Sequence, residues 1–246
     1  MLDPAPTPAL VLSVPVDVHG DYGAWATACA LAGRGLQVVT LNSEMVMQAR
    51  RNSALAAAIA QADLVVPDGA GVVLYLRSRG IRVARCPGID LAENLCRRVV
   101  QAGKRVFWIG GRPGVLARVR QQTFGDWPEG AIAGAYHGYF DAAGEAEILT
   151  QLQATQPAVV LVGLGAPRQE FWIAQHRHLC PGAVWVGVGG SFDVWSGEKP
   201  RAPQWMQQNH LEWLFRLYCE PRRWQRMLLL PQFVWQVVWE PWRREG

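Results

Sequence analysis

Two aspartates stand where a carboxylate could accept a proton or hold a sugar hydroxyl. Asp68 follows the apolar run 64–67 and precedes Gly69, so its side chain is expected to open at the end of a strand. Apolar surroundings raise the pKa of a carboxyl group and suit it to act as a general base. Capping of the next helix is an equally good interpretation of this position. Asp193, which follows the glycines at 189–190, presents the same choice, with a ribose or sugar hydroxyl as its partner.

Two glycine-rich turns have the composition of phosphate-binding loops. They are Gly110-Gly111-Arg112-Pro113-Gly114 and Gly163-Leu164-Gly165-Ala166-Pro167. Backbone N–H groups and the dipole of a following helix attract anions there, so Gly110, Gly111 and Gly165 are candidates for substrate binding. A single turn of this kind more often only joins a strand to a helix, and neither turn completes the GxGxxG pattern. A nicotinamide enzyme is therefore not favoured, and no Walker lysine indicates an NTPase.

Other polar residues narrow the chemistry further. Thr40 and Asn42 flank the end of a strand, and either Asn42 or Ser43 could cap the helix that follows; we assign the cap to Ser43. His176 and His178 point apart on a predicted helix, no HExxH motif occurs, and the five cysteines contain no CxxC pair. We therefore expect neither a metal site nor a disulfide framework. No GxSxG motif supports a hydrolase.

A parallel sheet between helices is the architecture that would bring these residues to one place. Short β-branched runs alternate with longer helical patterns, and the strands are continuously apolar, as when helices cover both faces. The predicted strands are 36–40, 63–67, 105–109, 131–136, 158–162 and 183–188, and the predicted helices are 44–60, 71–79, 89–102, 114–122, 145–155 and 168–179. Because parallel strands end at one edge, six polar or glycine-rich segments are expected to converge in a crevice.

The sequence changes character near Arg201. Residues 201–246 contain six of the twelve tryptophans and the arginines Arg216, Arg222, Arg223 and Arg226, but no further strand–turn–helix unit. Guanidinium groups suit a diphosphate, and tryptophan favours a membrane interface. The alternative is a helix that packs its tryptophans on the core and exposes its arginines, which is the more common arrangement. We predict a domain of residues 1–200 and a helical appendage of residues 201–246.

Charge and hydropathy limit the partners and the location. The net charge is only +4, and the first 200 residues carry no basic stripe, so nucleic acid is not an expected partner. The N-terminus lacks the basic and apolar regions of a signal peptide, and no run of about 18 apolar residues is uninterrupted. We therefore expect a cytoplasmic protein.

The order of these segments resembles the WecG/TagA/CpsF glycosyltransferases (glycosyltransferase family 26). The likeness covers about residues 36–226 and is strongest at VGLGAPRQE (162–170) and GVGGSFD (187–193). It also includes TLNSEMV (40–46), ADLVVPDGAGVV (62–73) and the segments 85–91, 107–115, 137–140, 201–207, 211–216 and 220–223.

This resemblance implies a Rossmann-like, mostly parallel α/β sheet with a C-terminal helical appendage, and an inverting enzyme that needs no metal or other cofactor. It would move an N-acetylmannosamine-type sugar from a UDP-sugar to an undecaprenyl-diphosphate-linked acceptor for surface polysaccharides. Asp68 would be the general base, and Thr40, beside it in the catalytic site, would hold the donor sugar with Asn42. Arg85 would lie near the sugar or its diphosphate. The remaining matches are Tyr139, Gln169 and Asp193 for the nucleotide-sugar, and Arg216, Arg222, Arg223 and Arg226 for the acceptor diphosphate.

This sequence departs from the family pattern at two places. Cys86 departs from the small or branched residue expected there, and Pro231 and Pro241 make a continuous helix after residue 226 doubtful.

The resemblance implies peripheral attachment to the inner face of the cytoplasmic membrane, with self-association as one way to hide the tail. A nucleotide-dependent oxidoreductase and a non-enzymatic membrane-surface adaptor are the competing functions.

Overall fold

The computed structural model describes residues 5–209, 211–221, 224 and 228–243, in which strands and helices alternate. The strands are β1 (Thr7–Val11), β2 (Val14–Val18), β3 (Leu36–Leu41), β4 (Leu64–Pro67), β5 (Val106–Gly110), β6 (Ile132–Tyr136), β7 (Val159–Gly163) and β8 (Val184–Gly187). The α-helices up to the last strand are α1 (Tyr22–Leu31), α2 (Ser43–Ala49), α3 (Ser53–Ala60), α4 (Ala70–Ser78), α5 (Gly88–Gln101), α6 (Val115–Gln122), α7 (Ala142–Thr155) and α8 (Arg168–His176). After it follow α9 (Ser191–Trp195), α10 (Gln204–Gln208), α11 (Glu212–Cys219) and α12 (Leu229–Arg243).

Six strands form one parallel sheet in the order β4-β3-β8-β7-β5-β6, which confirms the predicted α/β architecture. Each predicted strand agrees with the observed one to within a residue at either end. Alternate residues of a strand enter different apolar clusters: Trp108 belongs to one, and Phe107 and Ile109 to the other. Both faces of the sheet are therefore covered by helices, and this is why its strands are mostly apolar; the polar residues of β3, Gln37 and Thr40, are themselves buried.

An antiparallel hairpin of β1 and β2 precedes the sheet and was not predicted. Its two-residue turn places Leu12 and Ser13 at φ 49° and 71°, a conformation usually signalled by Asn-Gly or Asp-Gly at the turn, where this chain has Leu-Ser. The Asp17 carboxylate accepts a hydrogen bond from the Val65 N–H at 2.7 Å. Since β4 is an edge strand, the hairpin covers one edge of the large sheet.

The prediction of a single helix at 44–60 is wrong, because this segment forms two helices, α2 and α3. The Asn52 side chain accepts the Leu55 N–H at 3.1 Å and caps α3, which ends the helical run before it. The short helix α9 was also not predicted. Among the described residues, no helix is long and apolar enough to cross a membrane.

The C-terminal helix α12 is continuous, contrary to the doubt raised by its prolines. Pro231 lies in its first turn, where an N–H has no partner within the helix. The helix returns to the sheet domain and buries Phe233 to 3% exposure, against Gly71, where an added Cβ would lie 3.2 Å from the Phe233 ring. On its opposite side, Trp235 and Trp239 stack at 4.9 Å and remain 63% and 49% exposed.

Replacement of Phe233 by alanine should destabilise the protein by about 3–4 kcal/mol, because it empties a buried aromatic site. Urea denaturation followed by circular dichroism measures this effect. The matched control is Trp235→Ala on the exposed side of the same helix, which should change the stability by less than about 1 kcal/mol. Equal losses in the two variants would contradict the observed orientation of α12.

Candidate active site

Four of the predicted site residues lie together where β3 and β4 end. The Asp68 N–H donates to the Leu41 carbonyl at 3.0 Å, and Gly69 approaches Asn42 so closely that a Cβ there would lie 2.9 Å from its Cα. The Thr40 hydroxyl donates to the Gly187 carbonyl at 3.4 Å, across to β8. The guanidinium of Arg85 reaches Asp68 from the following loop, where its Nε donates to the Asp68 carbonyl at 2.6 Å.

Asp68 has the environment of a base. A quarter of its side-chain surface (25%) remains exposed, so the carboxylate opens into the crevice. Burial raises its pKa above the ordinary value, and this effect outweighs the neighbouring guanidinium groups of Arg85 and Arg216, which lower the pKa. The carboxylate also accepts a hydrogen bond from the backbone N–H of Gly88, at the start of α5. A carboxylate in this state has an increased affinity for a proton at a place that a substrate can reach.

The structure shows which residues cap helices α2 and α4. Helix α4 has Gly69 as its N-cap and no side-chain cap, so Asp68 does not cap it. The cap assigned to Ser43 is wrong, because α2 is capped by Asn42, whose Oδ1 accepts the Met45 N–H at 2.9 Å. This bond fixes the orientation of the Asn42 side chain at the edge of the site.

Three glycine-containing loops form the centre of the crevice, after β5, β7 and β8. Gly110 has φ 146°, and a Cβ there would lie 2.6 Å from the Gly163 carbonyl oxygen; Gly111 and Gly165 also have positive φ. Only glycine allows these turns to approach one another so closely. The chain leaves β5 towards β6 and leaves β7 towards β8, in opposite directions along the sheet. A crevice at such a switch point is the usual ligand site of open parallel sheets.

Gln169 holds two of these loops in place. Its side-chain Oε1 accepts the N–H groups of Gly165 at 3.2 Å and Gly189 at 2.9 Å, and its Nε2 donates to Glu170 Oε1 at 2.8 Å. Gln169 is buried to 3% exposure and Glu170 to 1%. Burial raises the pKa of Glu170, and its second oxygen, Oε2, has no hydrogen-bond partner among the described residues. The Gln169 amide predicted to bind the nucleotide-sugar is therefore engaged in shaping the crevice.

Helix α11 lies across the mouth of the crevice. At its first residue, the Glu212 carboxylate contacts the Arg85 guanidinium. At its other end, Lys199 Nζ bridges Glu220 at 2.8 Å and Asp193 at 2.7 Å. Asp193 is thus paired with Lys199. The sequence had predicted it to be either a helix cap or a carboxylate that binds a ribose or sugar hydroxyl, and neither role includes this ion pair. The appendage is attached by ion pairs at both sides of the site.

Tyr139 does not join this group. It is 71% exposed and follows β6, which forms the opposite edge of the sheet from β4. Five strand spacings separate those edges, or about 24 Å, so Tyr139 cannot contact a group at Asp68. It lines an open groove of about 450 Å³ at that edge, together with His137. A neighbouring groove of about 680 Å³ borders Arg112 and Gly114.

The arginine cluster is only partly described. Arg216 lies on α11, one turn after Glu212, and acts electrostatically on Asp68. Arg222, Arg223 and Arg226 lie outside the described residues. Within the described part of the chain, no three His, Cys, Asp or Glu side chains are grouped as metal ligands would be.

Sequence reasoning missed Glu212, Lys199 and Glu170 as parts of the site. Glu170 and Glu212 lay within the quoted segments 162–170 and 211–216, but their carboxylates follow no spacing rule. Their partners are far away along the chain, since Glu212 meets a residue 127 positions earlier. Only the folded chain reveals these pairs.

Replacement of Gln169 by leucine should destabilise the protein by about 1–3 kcal/mol, because the Gly165 and Gly189 N–H groups lose their acceptor. Urea denaturation measures the change against Gln153→Leu, an exposed position on α7. Unchanged stability in the Gln169 variant would mean that the amide is not needed to hold the loops and is available to a ligand.

Comparison with known proteins shows the family of this chain. A family model described as "Glycosyl transferase WecG/TagA/CpsF family" matches residues 10–246. A protein of Bacillus spizizenii (strain W23) named N-acetylglucosaminyldiphosphoundecaprenol N-acetyl-beta-D-mannosaminyltransferase is 40% identical over 206 residues, 83% of this chain and 79% of that protein. The protein of the same name from Bacillus subtilis (strain 168) is 35% identical over 207 residues, 84% and 80% of the two chains. The chain therefore belongs to the WecG/TagA/CpsF family and is a glycosyltransferase.

Proposed function

We propose that this enzyme transfers an N-acetylmannosamine-type sugar from a UDP-sugar to an undecaprenyl-diphosphate-linked N-acetylglucosamine acceptor. The activity for which the two Bacillus relatives are named supports the choice of sugar and acceptor. The observation that carries the proposal is the cluster of Asp68, Thr40, Asn42 and Arg85, which combines a base of raised proton affinity with neutral donors and a cation at one strand edge.

The donor would lie along the strand ends. Its diphosphate would occupy the central crevice, where the glycine loops allow a ligand to approach the backbone closely. Its sugar would extend towards Thr40 and Asn42 at the end of β3. In this orientation Arg85 would lie near the donor sugar and Arg216 would face the acceptor diphosphate, and we propose that no metal ion is required.

The reaction would proceed with inversion at the anomeric carbon. Asp68 accepts the proton of the acceptor hydroxyl as the hydroxyl oxygen attacks that carbon from the side opposite the diphosphate. The new C–O bond forms while the bond to UDP breaks, and UDP leaves with the bonding electron pair. The raised pKa of Asp68 favours this step, since a carboxylate of normal acidity is a weaker base.

The acceptor would reach the site from a membrane surface. Described residues of α11, α12 and the segment between them expose a C-terminal apolar face, whose members are 42–82% exposed: Trp213, Leu214, Tyr218, Trp224, Leu228, Val234, Trp235, Val238 and Trp239. Tryptophan and tyrosine favour the interface of a bilayer, where the ring is apolar and its polar group stays wet. The exposure of these side chains contradicts their packing on the core and supports attachment to a membrane surface, which we propose to be the inner face of the cytoplasmic membrane.

Asp68→Asn tests the catalytic half of the proposal. The rate of transfer from UDP-N-acetylmannosamine to a polyprenyl-diphosphate-linked N-acetylglucosamine should fall by about 10²–10⁴-fold, because the amide cannot take the proton. The lipid product is measured by chromatography, and UDP binding, measured by calorimetry, should persist. The control is Asp126→Asn, a carboxylate 72% exposed. Full turnover by the Asp68 variant would remove Asp68 from the role of base.

The double substitution Trp235→Ser/Trp239→Ser tests the proposed attachment to a membrane surface. Flotation with vesicles of phosphatidylglycerol and phosphatidylcholine should show binding weakened by about tenfold or more, since about 100 Å² of lost apolar contact costs about 2.5 kcal/mol. The control Leu10→Ser removes an exposed apolar side chain (59% exposed) from the hairpin. Self-association is the competing explanation of this face; it predicts a concentration-dependent dimer that the double substitution dissociates, with vesicle binding unchanged.

A further inference from the structure

The guanidinium of Arg85 is shared between two carboxylates. Its Nε donates to the backbone carbonyl of Asp68 at 2.6 Å, which anchors the side chain beside the proposed base. Its Nη2 contacts the Glu212 carboxylate directly but lies 3.7 Å from Asp68 Oδ1. The two acidic side chains are 14% and 25% exposed, and that of Arg85 is 17% exposed. In this partly buried cluster, Nη2 is therefore committed to Glu212 rather than to Asp68.

This division matters because an arginine fully paired with a carboxylate makes it a poor base. An adjacent guanidinium lowers the pKa of an aspartate by about 1–3 units. Among the described residues, the charged or titratable groups that act on Asp68 are the guanidinium groups of Arg85 and Arg216, the Glu212 carboxylate and the Cys86 thiol. Of these, Glu212 supplies the negative charge that opposes the two arginines.

We propose that Glu212 is a positioning residue for the transfer reaction, which draws the Arg85 Nη2 group away from Asp68 and leaves the Asp68 carboxylate free to accept the proton. The inference rests on the proposed role of Asp68 as the base. It extends that role by assigning a function to a side chain of α11 that touches neither the proton nor the sugar.

The same contact links the attachment of α11 to the strength of the base. Glu212 is the first residue of α11, and Arg216 follows one turn later, so a single helix delivers an anion to Arg85 and a cation to the neighbourhood of Asp68. Without Glu212, no other described carboxylate of this cluster competes with Asp68 for the Nη2 group of Arg85. Arg85, still anchored through Nε, would then turn its free nitrogen to Asp68.

Glu212→Gln tests this role. The amide oxygen can still accept one hydrogen bond from Arg85 but carries no charge, so Arg85 is expected to pair with Asp68. The value of kcat should fall about tenfold or more, and the KM for the UDP-sugar should change little. Because the lost negative charge had raised the pKa of Asp68, the acid limb of the kcat–pH profile should move to lower pH by about one unit.

Two further variants separate positioning from simple attachment. Glu220→Gln removes an ion pair at the other end of the same helix, with Lys199, and should leave the acid limb in place. Glu212→Asp keeps the charge and should return the acid limb towards its original pH. Circular dichroism and thermal melting of each variant establish that the fold is retained.

The outcomes are distinguishable from failure of the proposed function. If Asp68→Asn is inactive but Glu212→Gln leaves the acid limb unmoved and only raises the KM for the lipid acceptor, Glu212 merely attaches α11, and this inference is overturned. If Asp68→Asn retains turnover, the proposed base itself is wrong. An acid limb that shifts equally in Glu220→Gln would also contradict the inference, because loosening of α11 would then explain it.

Discussion

The parallel arrangement of the six strands is the constraint on which the rest of this structure depends. Strands that run in one direction must all end at one edge, and crossover helices must then cover both faces. Chemistry is therefore confined to the loops at that edge. The order of the strands decides which loops become neighbours, and here it places the Asp68 cluster at β3 and β4 directly beside the glycine-lined crevice at β8, β7 and β5.

The C-terminal helices complete this edge through two different kinds of interaction. Helix α11 is attached by charged pairs, at Arg85 and at Lys199, and these pairs include groups of the site itself. Helix α12 is attached through the buried ring of Phe233. Because the apolar attachment uses only one side of α12, Trp235 and Trp239 remain on the outside. The appendage is thus anchored to the sheet domain and also presents an apolar surface.

Charge balance at Asp68 illustrates how the two parts of the chain act on one group. Burial raises its pKa, while Arg85 and Arg216 lower it and Glu212 raises it again. Two of these four influences come from α11. Helix α11, which exposes Trp213, Leu214 and Tyr218, is thus also the helix that carries two of the charges acting on Asp68. The proposed roles of Asp68 and Glu212 are therefore two parts of one electrostatic arrangement.

The sequence by itself determined the local structure and the general location of the site. Mostly apolar runs marked all six parallel strands to within a residue, because helices on both faces of the sheet leave few positions for polar residues. Asp68 and the glycine turns were found because they directly follow strands. The hairpin at residues 7–18 was not predicted, because its turn consists of Leu12 and Ser13 rather than glycine or asparagine.

Only the tertiary structure decided which of those residues meet. Tyr139 lies at the far edge from Asp68, Gln169 is engaged with backbone N–H groups, and Glu212 contacts Arg85. The physical reason is that local patterns report the burial and backbone conformation of each segment. Strand order and the attachment of a distant helix depend instead on contacts between segments that lie far apart along the chain, such as β3 with β8 and Arg85 with Glu212, and no local pattern encodes those.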